Sequence, residues 1–149
     1  MVKAIFFDVL GTIVDWNRGL SSGFDRAFAK SGKDISASTL ASAWYRDYRA
    51  RFTSSTGAVY AQDQLAESLS HVLEEAGLEA PVGSREQELL LACWQRFPAW
   101  PDSVPGLRAL RREYVIASCT DLPTAPMTWL AKHAGLPWDL VLGSDLLDG

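Results

Sequence analysis

Residues 3–12 read Lys-Ala-Ile-Phe-Phe-Asp-Val-Leu-Gly-Thr, and the predicted architecture follows from this stretch. Residues 4–7 form a continuous apolar run that is too short for a typical helix and is followed by a polar turn. The run predicts a strand that is buried on both faces and central in a parallel sheet. Because reactive groups in open α/β sheets lie beyond the carboxyl ends of strands, Asp8 is the candidate nucleophile. The alternative is that Asp8 only caps a helix or turn.

The composition limits the class of protein. The 149 residues, 48% of them hydrophobic, suit one domain or a small core with an inserted cap. A net charge of -4 gives no electrostatic reason to expect nucleic acid or an anionic membrane as a partner. The sequence shows no leader-like start and no apolar run of membrane-spanning length, so we predict a soluble cytoplasmic protein. Cys93 and Cys119 lack metal-ligand spacing and are predicted to be free thiols.

The middle of the chain is predicted to be helical. Apolar residues recur at helical spacing in four successive segments, with no strand pattern between them. The pair Ser31–Gly32 predicts the end of the first helix, and residues 84–87, Ser-Arg-Glu-Gln, match a capping box that starts the fourth. This pattern predicts a helical cap at residues 17–97, inserted into a core formed by residues 1–16 and 98–149.

Alternating helices and strands return after the cap. Asp102 is a candidate cap for a short helix, and residues 114–118 are predicted to form the second strand. A helix is predicted from Pro123 to Ala134, with Gly135 as its C-cap, and a third strand at residues 139–143. The predicted fold class is therefore α/β, with three parallel strands and an inserted helical cap.

Three motifs carry a resemblance to a known family. They are FDVLGTIVDW at residues 7–16, FPAWPD at 97–102 and AGLPWD at 134–139. Together they resemble the haloacid dehalogenase superfamily, and within it the (S)-2-haloacid dehalogenases. The resemblance implies a Rossmann-like core in which Asp8 is the nucleophile. Thr12 is expected either to donate a hydrogen bond to Asp8 or to cap the chain that leaves the strand, and the two roles are compatible. Burial is expected to make the Asp8 carboxylate more reactive.

Position 10 separates two reaction classes within that superfamily. Its phosphatases carry an Asp there, which protonates an alkoxide leaving group, and they use Mg²⁺. This chain has Leu10, which suits a halide because a halide leaves without a proton. The resemblance thus implies dehalogenation with no cofactor and no bound metal. The alternative is that Leu10 is a core residue in a chain that has lost both activities.

Further site residues are implied by the same resemblance. Thr120 would be the second-motif residue that binds the substrate carboxylate, followed by Asp121 where relatives have a neutral Asn. A carboxylate there places a like charge near the anionic substrate, unless Asp121 instead caps the next helix. The family receives the leaving halide on a cap Arg that directly follows a Trp. Here Trp44 is followed by Tyr45, so Arg46 and, as an alternative, Arg49 are the candidate halide-binding residues and Tyr45 a pocket-lining one.

The sequence ends at Gly149, before the family's next motif, a Lys-Pro segment whose Lys pairs with the nucleophile. We therefore expect an incomplete core, a slow hydrolytic step and an open apolar edge on the first strand, which favours a homodimer or larger assembly. Three interpretations follow: a dehalogenase acting on small 2-haloacids, a Mg²⁺-dependent phosphatase, and a non-catalytic module that self-associates.

Overall fold

The computed structural model of the chain describes residues 2–29, 35–54 and 61–146. The chain divides into two compact units, one of Met1–Trp16 with Gln95–Gly149 and the other of Asn17–Trp94. Within the described ranges, no helix is both long and apolar enough to cross a membrane. The predicted end of the first helix at Ser31–Gly32 lies outside the described residues.

The first unit is built on a parallel sheet, which confirms the predicted α/β fold. Its strands are β1 (Ala4–Phe7), β2 (Val115–Cys119) and β3 (Leu140–Leu142), arranged in the order β1-β2-β3. Helix α5 (Ser103–Leu110) precedes β2, helix α6 (Thr124–Ala134) follows it, and a short 3₁₀ helix (Ser144–Leu146) follows β3. The two crossovers match the pattern expected when helices connect parallel strands.

The position of β1 differs from one prediction and agrees with another. A central strand buried on both faces was expected, but β1 pairs only with β2 in the described chain, and Phe6 is 61% exposed. Among the described residues, β1 has a strand on one edge only, and the face that carries Ala4 and Phe6 is exposed, so the strand is not buried on both faces. Among the described residues, β2 and β3 lie on one side of β1 and its other edge is unpaired, as predicted.

The second unit is helical. It contains helix α1 (Trp16–Phe28) from its second residue onward, with α2 (Ala37–Ser54), α3 (Ala61–Glu75) and α4 (Arg85–Cys93). Aromatic side chains form its centre. The ring centroid of Trp44 lies 5.4 Å from that of Trp94 and 5.8 Å from that of Phe24, and both pairs pack edge to face. The indole N–H of Trp44 donates to the carbonyl of Leu65 at 3.2 Å, which joins α2 to α3.

Two helix caps differ in detail from those that the sequence predicts. Ser84 caps α4 by accepting from the backbone N–H of Gln87 at 3.2 Å, as the capping box predicts. The Gln87 side chain, however, accepts from the N–H of Gly83 at 2.7 Å rather than from that of Ser84. Asp102 stands at the N-cap of α5, but its side chain makes no capping hydrogen bond, so that part of the prediction is wrong.

Candidate active site

The candidate nucleophile follows directly on the last residue of β1. The hydroxyl of Thr12 donates to Oδ2 of Asp8 at 2.6 Å, a short hydrogen bond of the charge-assisted kind. Among the described residues no other side-chain hydrogen bond or ion pair reaches this carboxylate. Asp8 is exposed, so the expectation that burial activates it is wrong for this structure. Thr12 therefore orients Oδ2, while Oδ1 makes no hydrogen bond with a described side chain.

A hydrogen-bonded turn at residues 9–14, which contains Thr12, connects Asp8 to the first helix. Ile13 and Val14 both donate backbone N–H groups to the carbonyl of Val9, at 2.9 and 3.1 Å, and Gly11 donates to Val14 at 3.0 Å. Gly11 has φ +95°, a conformation that strains any residue with a Cβ. Leu10 is 7% exposed in this turn. A buried leucine provides no proton donor at the position where phosphatases need one.

Two residues that sequence reasoning missed hold this turn in place. The indole N–H of Trp100 donates to the carbonyl of Gly11 at 3.0 Å, and the hydroxyl of Ser103 donates to the carbonyl of Ile13 at 2.7 Å. Both donors follow the predicted cap in the sequence. Their partners lie about ninety residues earlier, so local pattern rules gave no signal for these contacts. They tie the start of α5 to the turn at residues 9–14.

The second-motif residues directly follow the neighbouring strand, at the same edge of the sheet. In the parallel register, Phe7 pairs with Ser118, so the chain leaves β1 at Asp8 beside the point where β2 ends. Thr120 is buried, and its hydroxyl oxygen accepts from the N–H of Leu122 at 3.4 Å. Asp121, the next residue, is half-buried. The sheet thus gathers the predicted core residues Asp8, Thr12, Thr120 and Asp121 at its carboxyl edge.

In the part of the chain that the structure describes, Asp145 rather than Asp121 caps α6. Oδ1 of Asp145 accepts from both the N–H and the hydroxyl of Thr124, each at 2.7 Å. Asp145 was missed although it also follows a strand, β3, at the edge where Asp8 lies. The rule that picked out Asp8 would have found it.

The predicted halide-binding residues lie in the second unit. Tyr45 and Arg46 are consecutive on α2, where Tyr45 is half-buried with its ring stacked on Trp94 at 6.3 Å. Arg46 is exposed. Within that unit the two side chains point in directions that differ by about 100° around the helix. Their placement relative to Asp8 stays a prediction.

We also looked among the described residues for a cation near the site and for a group that could bind a metal ion. Lys132 lies over the ring of Trp129, with its Nζ 5.4 Å from the ring centroid, at the far end of α6 from Thr120. The described residues include no group of three or more His, Cys, Asp or Glu side chains arranged to hold a metal ion. The candidate site therefore consists of a carboxylate, two hydroxyls and a second carboxylate.

Comparisons with known proteins show the same fold in solved structures. A defluorinating L-2-haloacid dehalogenase superposes with a TM-score of 0.88 at 33% identity, covering 99% of this chain and 62% of its own. A second L-2-haloacid dehalogenase gives 0.85 at 31% identity, covering 98% and 64%. The L-2-haloacid dehalogenase of Xanthobacter autotrophicus with chloropropionic acid covalently bound gives 0.81 at 21% identity, covering 99% and 59%, a likeness of fold alone. Among curated proteins, none matched.

The matches show how much of the solved proteins this chain spans and to which family it belongs. The chain spans between 59% and 64% of the length of those three solved proteins. The family model of haloacid dehalogenase-like hydrolases matches residues 2–147. The family model matches nearly the whole chain, and the chain has the parallel sheet of an α/β fold with Asp8 directly after its first strand. The protein therefore belongs to the haloacid dehalogenase-like hydrolase family.

Proposed function

We propose that this chain acts as a 2-haloacid dehalogenase, cleaving the carbon–halogen bond of short 2-haloalkanoic acids through an ester formed on Asp8. The observation that carries the proposal is the Asp8–Thr12 hydrogen bond at the end of β1, two residues before a buried Leu10. The L-2-haloacid dehalogenases among its structural relatives support the same substrate class. The Mg²⁺-dependent phosphatase alternative lacks the acid that it needs at position 10.

The first step is a displacement at carbon. Oδ1 of Asp8 attacks C2 of the substrate, and the electron pair of the carbon–halogen bond leaves with the halide. The configuration at C2 is inverted. Thr12 holds Oδ2 and fixes the direction of attack. Thr120, at the end of the neighbouring strand, is the proposed group for the substrate carboxylate. Tyr45 and Arg46 are proposed to receive the halide.

The second step is ester hydrolysis. Water attacks the carbonyl carbon of Asp8, the bond to the alkyl oxygen breaks, and the 2-hydroxy acid leaves as the carboxylate is restored. This step benefits from a base for the water and a cation for the developing negative charge. Among the described residues, neither lies in a hydrogen bond or ion pair with Asp8. We therefore expect the ester to form faster than it is hydrolysed.

The test is the number of chloride equivalents released from (S)-2-chloropropionate per purified chain, followed over time. We expect a rapid release of one equivalent, followed by slower turnover. A parallel assay uses a phosphate monoester with and without Mg²⁺, where we expect no Mg²⁺-stimulated hydrolysis. A folded chain that releases no chloride would contradict the proposal and favour the non-catalytic interpretation.

Asp121 is expected to weaken binding of the anionic substrate. Replacing it with Asn removes a like charge at the edge of the sheet while keeping the size of the side chain. We expect the half-saturating concentration of (S)-2-chloropropionate to fall by about fivefold in Asp121→Asn. The neutral 2-chloropropionamide serves as the control and should respond equally to both proteins. An equal or higher half-saturating concentration for the acid in the variant would refute this role.

We also propose that two copies of the chain associate through β1. Lys3 accepts a hydrogen bond from Val115 of β2, so the alternation of a parallel ladder turns the backbone groups of Ala4 and Phe6 to the open edge. A second β1 can pair with that edge about a two-fold axis, with Ala4 opposite Phe6 of the partner. The exposed Phe6 side chain adds apolar area beside the contact.

Light scattering at high protein concentration tests the association. We expect a mass above that of one chain, and a return toward the monomer mass in Phe6→Lys, since a charge on an edge strand opposes pairing. Trp129→Lys is the matched control, because Trp129 is also an exposed large apolar side chain but lies on α6. A strictly monomeric parent protein would contradict the proposal.

A further inference from the structure

The loop that carries Thr120 and Asp121 is held by the chain that follows β3. This loop, residues 120–123, connects β2 to α6. On the β2 side, the hydroxyl of Ser118 contacts both backbone groups of Leu142, accepting from its N–H at 3.0 Å and donating to its carbonyl at 3.4 Å. Near the α6 side, the N–H of Ser144 donates to the carbonyl of Leu122 at 3.0 Å. The loop is therefore tied at both ends to β3 and the residues after it.

Gly143 brings the two segments into direct backbone contact. A Cβ at this position would lie 2.2 Å from the backbone nitrogen of Thr124, 2.5 Å from the carbonyl carbon of Pro123 and 2.7 Å from the carbonyl oxygen of Leu122. These are backbone atoms, which cannot rotate away as a flexible side chain can. The close approach places Asp145, two residues on, within reach of the first turn of α6.

Asp145 supplies the cap that α6 does not provide for itself. The N-cap residue of α6 is Pro123, which makes no side-chain cap. The first backbone N–H groups of a helix lack partners inside the helix. Oδ1 of Asp145 accepts from the N–H and the hydroxyl of Thr124, both at 2.7 Å. A single carboxylate from another element thus fixes where the loop ends and the helix begins.

We infer that Asp145 is a positioning residue for substrate binding, acting through Thr124 to hold the loop on which Thr120 presents its hydroxyl and backbone to the substrate carboxylate. The inference rests on the proposed function for the identity of the ligand. Loss of the cap removes the contact at Thr124 and leaves this end of the loop held only by the bond between Ser144 and Leu122, while the turn at residues 9–14 keeps its own contacts. The binding of the acid should therefore suffer more than the reactivity of Asp8.

The stabilisation that the Asp145 carboxylate gives to the loop depends on pH. The hydroxyl of Thr124 lowers the pKa of Asp145 below its ordinary value of 3.8, desolvation opposes the shift, and the N–H of Thr124 adds to it. A lowered pKa in the folded state means that the anchor stabilises the loop fully above the ordinary value. Its contribution is lost only as the pH falls below that value toward the folded pKa.

Equilibrium binding of (S)-2-chloropropionate, followed by the NMR shift of the Thr120 amide, tests the inference. The parent for this measurement is the Asp8→Asn chain, because it binds the acid without reacting. We expect Asp145→Ala in that background to raise the Kd about fivefold. Asp145→Asn keeps an acceptor oxygen and should restore most of the affinity. Asp102→Ala is the matched control, since Asp102 holds an N-cap position in the same unit without a side-chain cap.

The outcomes separate this inference from the proposed function. In the chain that keeps the reactive Asp8, Asp145→Ala should raise the half-saturating concentration of (S)-2-chloropropionate for chloride release. The maximal rate at which the first chloride equivalent is released should stay within about twofold of the rate without this substitution. A Kd unaffected by Asp145→Ala, or an Asn variant as weak as the Ala variant, would overturn the positioning role. Absence of any binding by the parent overturns it as well. If the acid binds with the expected dependence on Asp145 but no chloride is released, only the proposed function fails.

Discussion

Asp8→Asn is expected to abolish chloride release from (S)-2-chloropropionate, lowering the rate by at least about a thousandfold. An amide is a far weaker nucleophile than a carboxylate, so the ester cannot form. The fold should survive, because an Asn at position 8 can still accept the hydrogen bond that Thr12 donates to Oδ2 in this structure. Chloride release in the burst phase is the measurement, with circular dichroism to verify folding.

A second carboxylate provides the control for that loss. Asp102 lies in the same unit, is exposed, and makes no capping hydrogen bond. Asp102→Asn changes the net charge by the same amount as Asp8→Asn and should keep the full rate. Retention of chloride release in Asp8→Asn would assign the nucleophile to another group.

Gly143→Ala is expected to cause the largest loss of stability among single-methyl substitutions in the first unit. Its Cβ would meet the backbone nitrogen of Thr124 at 2.2 Å, so β3 or the loop before α6 must move. We expect the free energy of unfolding to fall by about 3 kcal/mol and the thermal midpoint by roughly 10 °C. Thermal or urea unfolding followed by circular dichroism measures both.

The glycine on α5 offers the matched comparison. Gly106 lies inside Ser103–Leu110, and a Cβ there would meet nothing within 4 Å. Gly106→Ala should therefore leave the protein unchanged or stabilise it by up to about 1 kcal/mol, through helix propensity. Equal stability of the two alanine variants would mean that Gly143 does not make the close backbone approach described above.

Local patterns predicted the elements of this fold because each one carries its own signal. The apolar run at residues 4–7 gave β1, Ser84 gave the start of α4, and Gly135, which adopts φ +69°, gave the end of α6. The predicted strand at 114–118 is observed at Val115–Cys119. These features depend on residues within one turn or one strand, where propensity and capping rules apply.

Features that depend on distant partners were not predictable in the same way. The apolar character of Phe6 predicts burial, but its actual exposure depends on which strands and helices surround β1. The bond from Trp100 to Gly11 and the cap that Asp145 gives to α6 join residues that only the folded sheet brings together. The candidate site shows the same division, since motif positions gave Asp8, Thr12 and Thr120, whereas the contacts that hold them came from the structure.

The covalent ester on Asp8 is the central claim, and mass spectrometry tests it most directly. The protein is incubated with (S)-2-chloropropionate, quenched in acid, digested and searched for a peptide that carries one added propionate group. We predict that the group lies on the peptide containing Asp8 and that fragmentation assigns it to that residue. A folded protein with an unmodified Asp8 peptide at every time point, or with the ester on another residue, would contradict the account.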